Sequence, residues 1–318
     1  MSIDYLDFEK PIGALEQKIL QLQADNESKT NNENLATEIN KLNDSVIKLT
    51  QKIYSNLSPW QCVQVARHPQ RPHFFDYVNK IFDSFDELHG DRKYGDDRAV
   101  IGGLATIDSH SVILLGHEKG KTTEEKIYHN FGMSQPEGYR KASRLMKIAE
   151  RFSLPVITLI DTPGAYPGMD SEERGQSEAI ANNLSVMSSL NTPILVNIVG
   201  EGGSGGALAL GVGDHIAMLQ YATYSVASPE ACASIIWRDS ERASEAAEAM
   251  RLDAENIAKL NLIDEIIEEP LGGAHRDPDK IASTLKKSLI TNLETLKSYS
   301  KEKLLERRYK RLMSYGTN

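Results

Sequence analysis

Apolar positions in the first fifty residues recur at helical spacing. Ile12, Leu15, Ile19 and Leu22 mark one stripe. After the polar stretch ADNESKTNNEN, residues 24–34, Leu35, Ile39, Leu42, Val46, Leu49 and Ile53 mark a second. Steps of four and three residues make a heptad seam, so residues 1–58 are expected to form a helical hairpin around a short polar turn. Its seam can cover the rest of its own chain or grip another subunit. Pro59, Pro69 and Pro72 interrupt the pattern, and a short helix is expected around Tyr77 to Phe82.

From about Asp86 the period changes. AVIGGLATI and SVILLG flank the polar turn DSH and predict a β-hairpin. A unit then repeats. A helix over 138–153 leads into LPVITLIDTPGAYPG, and a helix over 176–190 leads into TPILVNIVGEGGSGG. A third turn follows: the helix GALALGVGD, then HIAMLQ and YSVASPE. Buried β-branched runs alternating with helices imply α/β layering with largely parallel strands, and the repetition implies a spiral of strands and helices. This main unit is expected over residues 59–296. The end of the chain, residues 297–318, reads as a helical tail whose cations Lys301, Lys303, Arg307, Arg308, Lys310 and Arg311 form a solvated face, the alternative being a face for an acidic partner or nucleic acid.

Composition narrows the class. A chain of 318 residues can bury a large core, and ordinary charged and apolar fractions exclude disordered and fibrous classes. A net charge of −9 argues against a general nucleic-acid binder. Cys62 and Cys232 make no disulfide scaffold, and without Cys-x-x-Cys the chain carries no zinc ribbon, so no metal ligands are expected. The N-terminus lacks a signal-peptide pattern and no apolar run has membrane-spanning length, which makes a reduced, cytoplasmic setting the expectation, with no membrane partner.

The chemistry concentrates in NIVGEGGSGGALALGVGD, residues 197–214. Gly200, Gly202 and Gly205 fit a dinucleotide-binding G-x-G-x-x-G, but the downstream MLQYATYSVAS supplies no carboxylate for a ribose. Gly202, Ser204 and Gly206 fit the G-x-S-x-G of a serine hydrolase, with Asp264 and His275 as candidate triad partners in charged surroundings. LGHEKGKT fails as a phosphate loop, because the first glycine belongs at Leu115 and stands instead at Gly116. The DTPG at 161–164 looks like the metal-binding turn of a GTPase but lacks that loop. What remains is the backbone. N–H groups at a glycine-rich strand-to-helix turn, backed by the helix N-terminus, form an oxyanion hole that needs no side-chain nucleophile. Glycines placed for packing alone are the plainer alternative.

Longer blocks carry a resemblance. FGMSQPEGYRKASRLMKIAE, ITLIDTPGAYPG, EERGQSEAIANNL, GEGGSGGALALGVGD, YSVASPEACASIIW, EPLGGAHRDP and RRYKRLMSYG, with ARHPQRP and ELHGDR before them, resemble the alpha subunits of bacterial acetyl-coenzyme A carboxylase carboxyltransferase. The resemblance runs through nearly the whole chain; Lys121, Thr122 and Ala231 depart from the family pattern. It implies a crotonase-like (ClpP/crotonase) β-β-α spiral with an N-terminal helical hairpin and a C-terminal helix. It implies transfer of a carboxyl group from carboxybiotin, held on a biotin carboxyl carrier protein, to acetyl-coenzyme A, giving malonyl-coenzyme A for fatty acid synthesis. It also implies a beta subunit bearing the zinc ribbon and most coenzyme A contacts, in an α2β2 assembly, and a partner biotin carboxylase that alone uses ATP.

Under that resemblance the N–H groups of Gly206, with Gly205 or Ala207, are expected to hold the biotin oxyanion, and Gly202 and Gly203 to let the turn form. Gly164, Ala165 and Gly168 are expected to line the same cleft. The ureido nitrogen of biotin is the candidate base, so no catalytic carboxylate is named. Arg67, His68 and Arg71 could contact coenzyme A phosphates or form a basic surface loop.

Overall fold

A computed structural model describes residues 4–28 and 33–316. Helices α1 (Lys10–Ser28) and α2 (Glu33–Tyr54) pack on each other. The seam is laid out as its spacing predicts: Leu35, Ile39, Leu42, Val46, Leu49 and Ile53 are each half-buried, and Thr50 and Tyr54 beside the last two are buried. The polar connection is shorter than expected, because α1 continues through residues 24–28; residues 29–32 of the expected turn lie outside the described residues. The pair is tied to the body by apolar packing of Tyr54 against Val65 and Tyr221 and by charge. Arg276 reaches Glu16 at 3.2 Å, and Tyr54 donates to the buried Glu9 at 2.7 Å.

Helix α3 (Pro59–Ala66) starts at a capping box: the Ser58 hydroxyl accepts the Gln61 N–H, and the Ser58 N–H donates to the Gln61 side chain. Helix α4 (Phe74–Ile81) buries Phe74, Tyr77, Val78 and Ile81 against the sheet. The predicted hairpin is β2 (Val100–Ile107) and β3 (His110–His117), paired antiparallel, with β1 (Ser84–Glu87) outside β2. Short α5 (Thr123–Tyr128) and long α6 (Pro136–Phe152) lead to β4 (Val156–Thr162). Then come α7 (Met169–Glu173), α8 (Gln176–Ser189), β5 (Ile194–Gly203) and α9 (Ser204–Leu208).

The remaining strands are β6 (His215–Leu219), β7 (Thr223–Ser225) and β8 (Glu265–Ile267). Between β7 and β8 lie α10 (Pro229–Trp237), α11 (Ala243–Met250) and α12 (Ala254–Lys259); α13 (Pro278–Lys297) and α14 (Lys301–Ser314) close the chain. The sheet order is β1-β2-β3-β4-β5-β6-β8, parallel from β3 onward, and β7 pairs with β5 off that path. Every residue of β4 and β5 is buried, as strands covered on both faces require. Each large apolar side chain fully buried there contributes roughly 1.5–3 kcal/mol.

Two expectations are corrected. The helix expected over GALALGVGD ends at Leu208 after five residues. A Cβ on Gly211 would crowd the Ala207 carbonyl oxygen at 3.0 Å and one on Gly213 would meet Val196 at 2.8 Å, and with two glycines of poor helix propensity the segment continues as loop into β6. The C-terminal cations do not form one solvated face. Arg308 is fully buried and grips Asp214, while Arg311 pairs with Asp264.

Candidate functional site

The parallel strands end on one side of the sheet, the edge where open α/β sheets place their ligand sites. There β5 divides its partners. Leu195–Ile198 pair with β6, whereas Glu201–Gly203 pair with β7. Its register with β4 also breaks: Ile160 faces Ile198, but Thr162 faces Gly202, so β5 bulges by two residues. The Asp161 carboxylate fills the gap, accepting the Glu201 N–H at 2.8 Å. Gly200 leaves it room, since a Cβ there would lie 2.4 Å from the Asp161 oxygen.

The glycines thus serve close packing first. A Cβ on Gly203 would lie 2.2 Å from the Pro163 carbonyl oxygen, and one on Gly206 would lie 2.6 Å from the Gly164 carbonyl carbon. Gly202 packs against β7, at Tyr224 and Thr223. The loop after β4 is held from the other side. The Thr162 hydroxyl donates to the Gly132 carbonyl, and the Gln176 amide donates to the Ser134 and Tyr166 carbonyls. Gly164 has φ +153°, Gly168 closes against the Tyr166 ring, and the Ala165 methyl packs near Ile180 and Tyr139. The two loops expected to share a cleft meet backbone to backbone.

At Ser204 the chain turns from strand to helix with φ 51°, a left-handed value that favours a small residue, and the side chain is exposed. The first N–H groups of a helix have no carbonyl one turn back. In α9 these belong to Ser204, Gly205 and Gly206; helix geometry turns the N–H of Ala207 toward the Gly203 carbonyl. Gly205 and Gly206 are the donors that no side chain of their own covers. At five residues, α9 adds little macrodipole, so the N–H groups themselves are the donors that count.

A charged network that sequence reading missed flanks this turn. Lys119 Nζ lies 2.6 Å from Asp161 and 2.7 Å from Glu201; Arg67 bridges Glu201 at 2.5 Å and Glu230 at 2.6 Å. Burial works to raise the Glu201 carboxyl pKa, but Lys119 and Arg67 outweigh it and hold it at about 2. Burial alone would lower Lys119; the two carboxylates keep it raised and charged. Arg67, Lys119, Asp161, Pro163 and Glu201 line a cleft of about 230 Å³. The available signal was the charge itself, since Asp161 and Glu201 interrupt apolar runs at two strand ends.

His117, just before this network, is fully buried, and both ring nitrogens lack partners among the described residues. Burial and then the Lys119 charge push its pKa down to about 3; burial and nearby His68, Arg71 and Arg276 push His275 to about 2. Unfolded, both imidazoles bind a proton near pH 6.5. Between that pH and the folded values the unfolded chain holds the extra protons, so stability falls as pH drops below 6.5. Each group should contribute a slope of about 1.4 kcal/mol per pH unit. Urea unfolding at pH 7, 6 and 5 checks this; His117→Gln should flatten the decline, and an equal slope in the variant would refute it.

Other expected residues fall elsewhere. Asp264 pairs with Arg311 and accepts the Ile216 N–H at the opposite edge of the sheet. His275 stacks on His68 with centroids 3.7 Å apart. Neither approaches Ser204, so the G-x-S-x-G reading has no triad. Arg71 is buried in a two-point pair with Glu269, and His68 is buried beneath His275, which corrects the basic-loop reading. Arg67 does line the cleft, though two carboxylates already neutralise it. Glu9, His68 and His275 bring ligand atoms within 4.8 Å of one another. Both His68 nitrogens are used, however, by the Asp4 carbonyl and the Gln70 N–H, and Arg71 and Arg276 stand nearby. The trio does not suit a cation.

No helix among the described residues is long and apolar enough to cross a membrane. Residues 5–316 match the family model described as acetyl co-enzyme A carboxylase carboxyltransferase-like. The chain is 57% identical over 317 residues to the acetyl-coenzyme A carboxylase carboxyl transferase subunit alpha of Photobacterium profundum, covering 99% of each. Among solved structures it is similar to transcarboxylase 12S, at TM-score 0.54 and 21% identity, covering 68% of this chain and 41% of that one. It is also similar to a chain of a Pseudomonas malonate decarboxylase hetero-tetramer, at TM-score 0.59 and 16% identity, covering 76% and 92%. These two likenesses support the crotonase-like fold. The full-length family match and the 57% identity across 99% of the chain establish that this protein belongs to the alpha-subunit family of acetyl-coenzyme A carboxylase carboxyltransferase.

Proposed function

We propose that this chain is the alpha half of a carboxyltransferase that moves a carboxyl group from carboxybiotin to acetyl-coenzyme A, forming malonyl-coenzyme A. The observation that carries the reading is the pair of glycine-built turns packed backbone to backbone beside a cleft, with the Gly205 and Gly206 N–H groups left over. Biotin, when bound, supplies a ureido group able to carry and release the carboxyl. The donors of Gly205 and Gly206 hold the negative charge that develops on the ureido oxygen; one such donor is typically worth about 3 kcal/mol of barrier. Gly203 and Gly164 keep the two turns in contact, and the Asp161 carboxylate fixes the bulge that aims them. Ala165 and Gly168 lie in the loop that continues from Pro163, a residue of the cleft wall.

In this reading a beta subunit supplies the zinc ribbon and most coenzyme A contacts in an α2β2 assembly. A biotin carboxyl carrier protein delivers the biotin, and ATP is consumed only by the biotin carboxylase that reloads it. The setting is cytoplasmic. Among the described residues, those up to 58 form an arm, 59–296 the transferase unit and those from 297 onward the tail. Co-expression with the beta partner and assay of biotin-dependent malonyl-coenzyme A decarboxylation is the test, and no turnover with a competent partner would sink it. Ser204→Ala should retain most of that turnover, and a fluorophosphonate should leave the parent chain unlabelled. Labelling at Ser204 with loss of activity in the variant would restore the hydrolase reading.

A further inference from the structure

A second concave site lies on the outer side of α6. Its cavity of about 600 Å³ is lined by six cations: Arg92, Lys93, Arg140, Arg144, Lys147 and Arg151. Two carboxylates share the lining, Asp91 and Glu178, and Arg140 also meets Glu137 at 2.8 Å. Asp91 is already saturated, accepting the N–H groups of Lys93, Tyr94 and Gly95 on one oxygen and Arg140 on the other. Five of the six cations make no ion pair within the described residues.

That is unusual for this molecule. Elsewhere, buried and half-buried cations meet carboxylates: Lys119 with Asp161, Arg71 with Glu269, Lys141 with Asp96, Arg308 with Asp214. The chain as a whole carries −9, so carboxylates are not scarce. In the cleft the guanidinium groups of Arg92 and Arg144 are held by neutral acceptors instead. Arg144 donates to the carbonyls of Leu88, His89 and Gly90 at 3.0–3.1 Å, and Arg92 donates to the His89 carbonyl at 2.8 Å. Arg92 takes this position with φ 64°, a left-handed backbone uncommon for a side chain of its size. Carbonyl anchors fix a guanidinium in place without cancelling its charge. Burial, and then the neighbouring Arg92, lower the Arg144 pKa, and Asp96 and Asp91 do not fully offset them.

We propose that this cleft binds a small ligand carrying two or more linked phosphate groups. Three of the five cations without an ion pair are arginines, Arg92, Arg144 and Arg151, whose planar forks match phosphate oxygens in pairs. The volume is that of a small-molecule site. On α6 the cations without an ion pair extend from Arg144 to Arg151, about 10 Å of helix, which suits several charged groups in a row better than one. The proposal is independent of the carboxyl-transfer reading, because it rests on a different face and is tested by binding alone.

Sodium tripolyphosphate titrated into the full chain by calorimetry is the test. Saturable one-to-one binding is expected, with an affinity that falls as sodium chloride rises. The exposed double variant Lys147→Glu/Arg151→Glu should keep the parent melting temperature and weaken binding by about tenfold or more. No saturable binding, or the same affinity in the double variant, overturns the proposal. Coenzyme A titrated into both proteins distinguishes the source. Weaker coenzyme A binding in the variant assigns the cleft to the phosphates of that molecule, and unchanged binding assigns it to a separate phosphorylated ligand.

Discussion

A Gly206→Ala variant is expected to fold and to lose carboxyl transfer by about 100-fold or more in kcat. The added Cβ would sit 2.6 Å from the Gly164 carbonyl carbon and 2.7 Å from the Ala165 nitrogen. Both are backbone atoms, so the turns must part rather than a side chain swing aside. Overpacking of this kind costs about 1–3 kcal/mol, which a domain with so large a core survives. The chemistry does not survive it, because the donor N–H groups move with the turn. Gly205→Ala is the matched control. Its Cβ would meet only the flexible end of Ile180 at 3.4 Å, and the N–H donor remains. That variant should turn over near the parent rate with the beta partner present. Equal rates for the two variants would remove the turn from the mechanism.

Arg308→Met should destabilise the protein by about 3–5 kcal/mol. The Arg308 side chain is fully buried, with Nε 2.9 Å and a terminal nitrogen 2.6 Å from the two Asp214 oxygens. Its remaining donors reach the carbonyls of Met187, Leu190 and Thr192 at 2.7–2.9 Å. This one group ties α14 to the end of α8 and to the loops entering β5 and β6. Methionine would leave Asp214 charged, buried and unpaired, along with three orphaned carbonyls. Thermal unfolding should show the loss, and Arg307→Ala, on the exposed side of α14, should stay within about 0.5 kcal/mol. Arg308→Met combined with Asp214→Asn should regain part of it, since the asparagine oxygen can still accept the Ile194 N–H without a charge. A parent-like melting temperature for Arg308→Met would mean that the tail is not pinned here.

Arg308 shows how partial legibility works. It follows the buried Leu304 by four residues and so lies on the inward face of α14. Periodicity could have separated it from Arg307 and Lys310, but it could not supply Asp214, which stands 94 residues away. His275 and Asp264 make the converse point. Their chain order suited a hydrolase triad, yet β8 sets Asp264 at the far edge of the sheet and His275 is stacked on His68.

What the sequence determined by itself was whatever depends on local spacing: the heptad seam, the β2–β3 hairpin, the recurring helix–strand units and the position of the glycine loop. Those signals survive without tertiary context because side-chain period and backbone freedom are properties of neighbouring residues. The tertiary structure decided which glycine meets which backbone, where Arg67, Lys119, Asp161 and Glu201 find one another, and which cations are left unpaired along α6. Those outcomes depend on register and crossover between segments far apart in the chain. A carboxylate's charge is written in the sequence, but the distance to its partner is set only when the strands align.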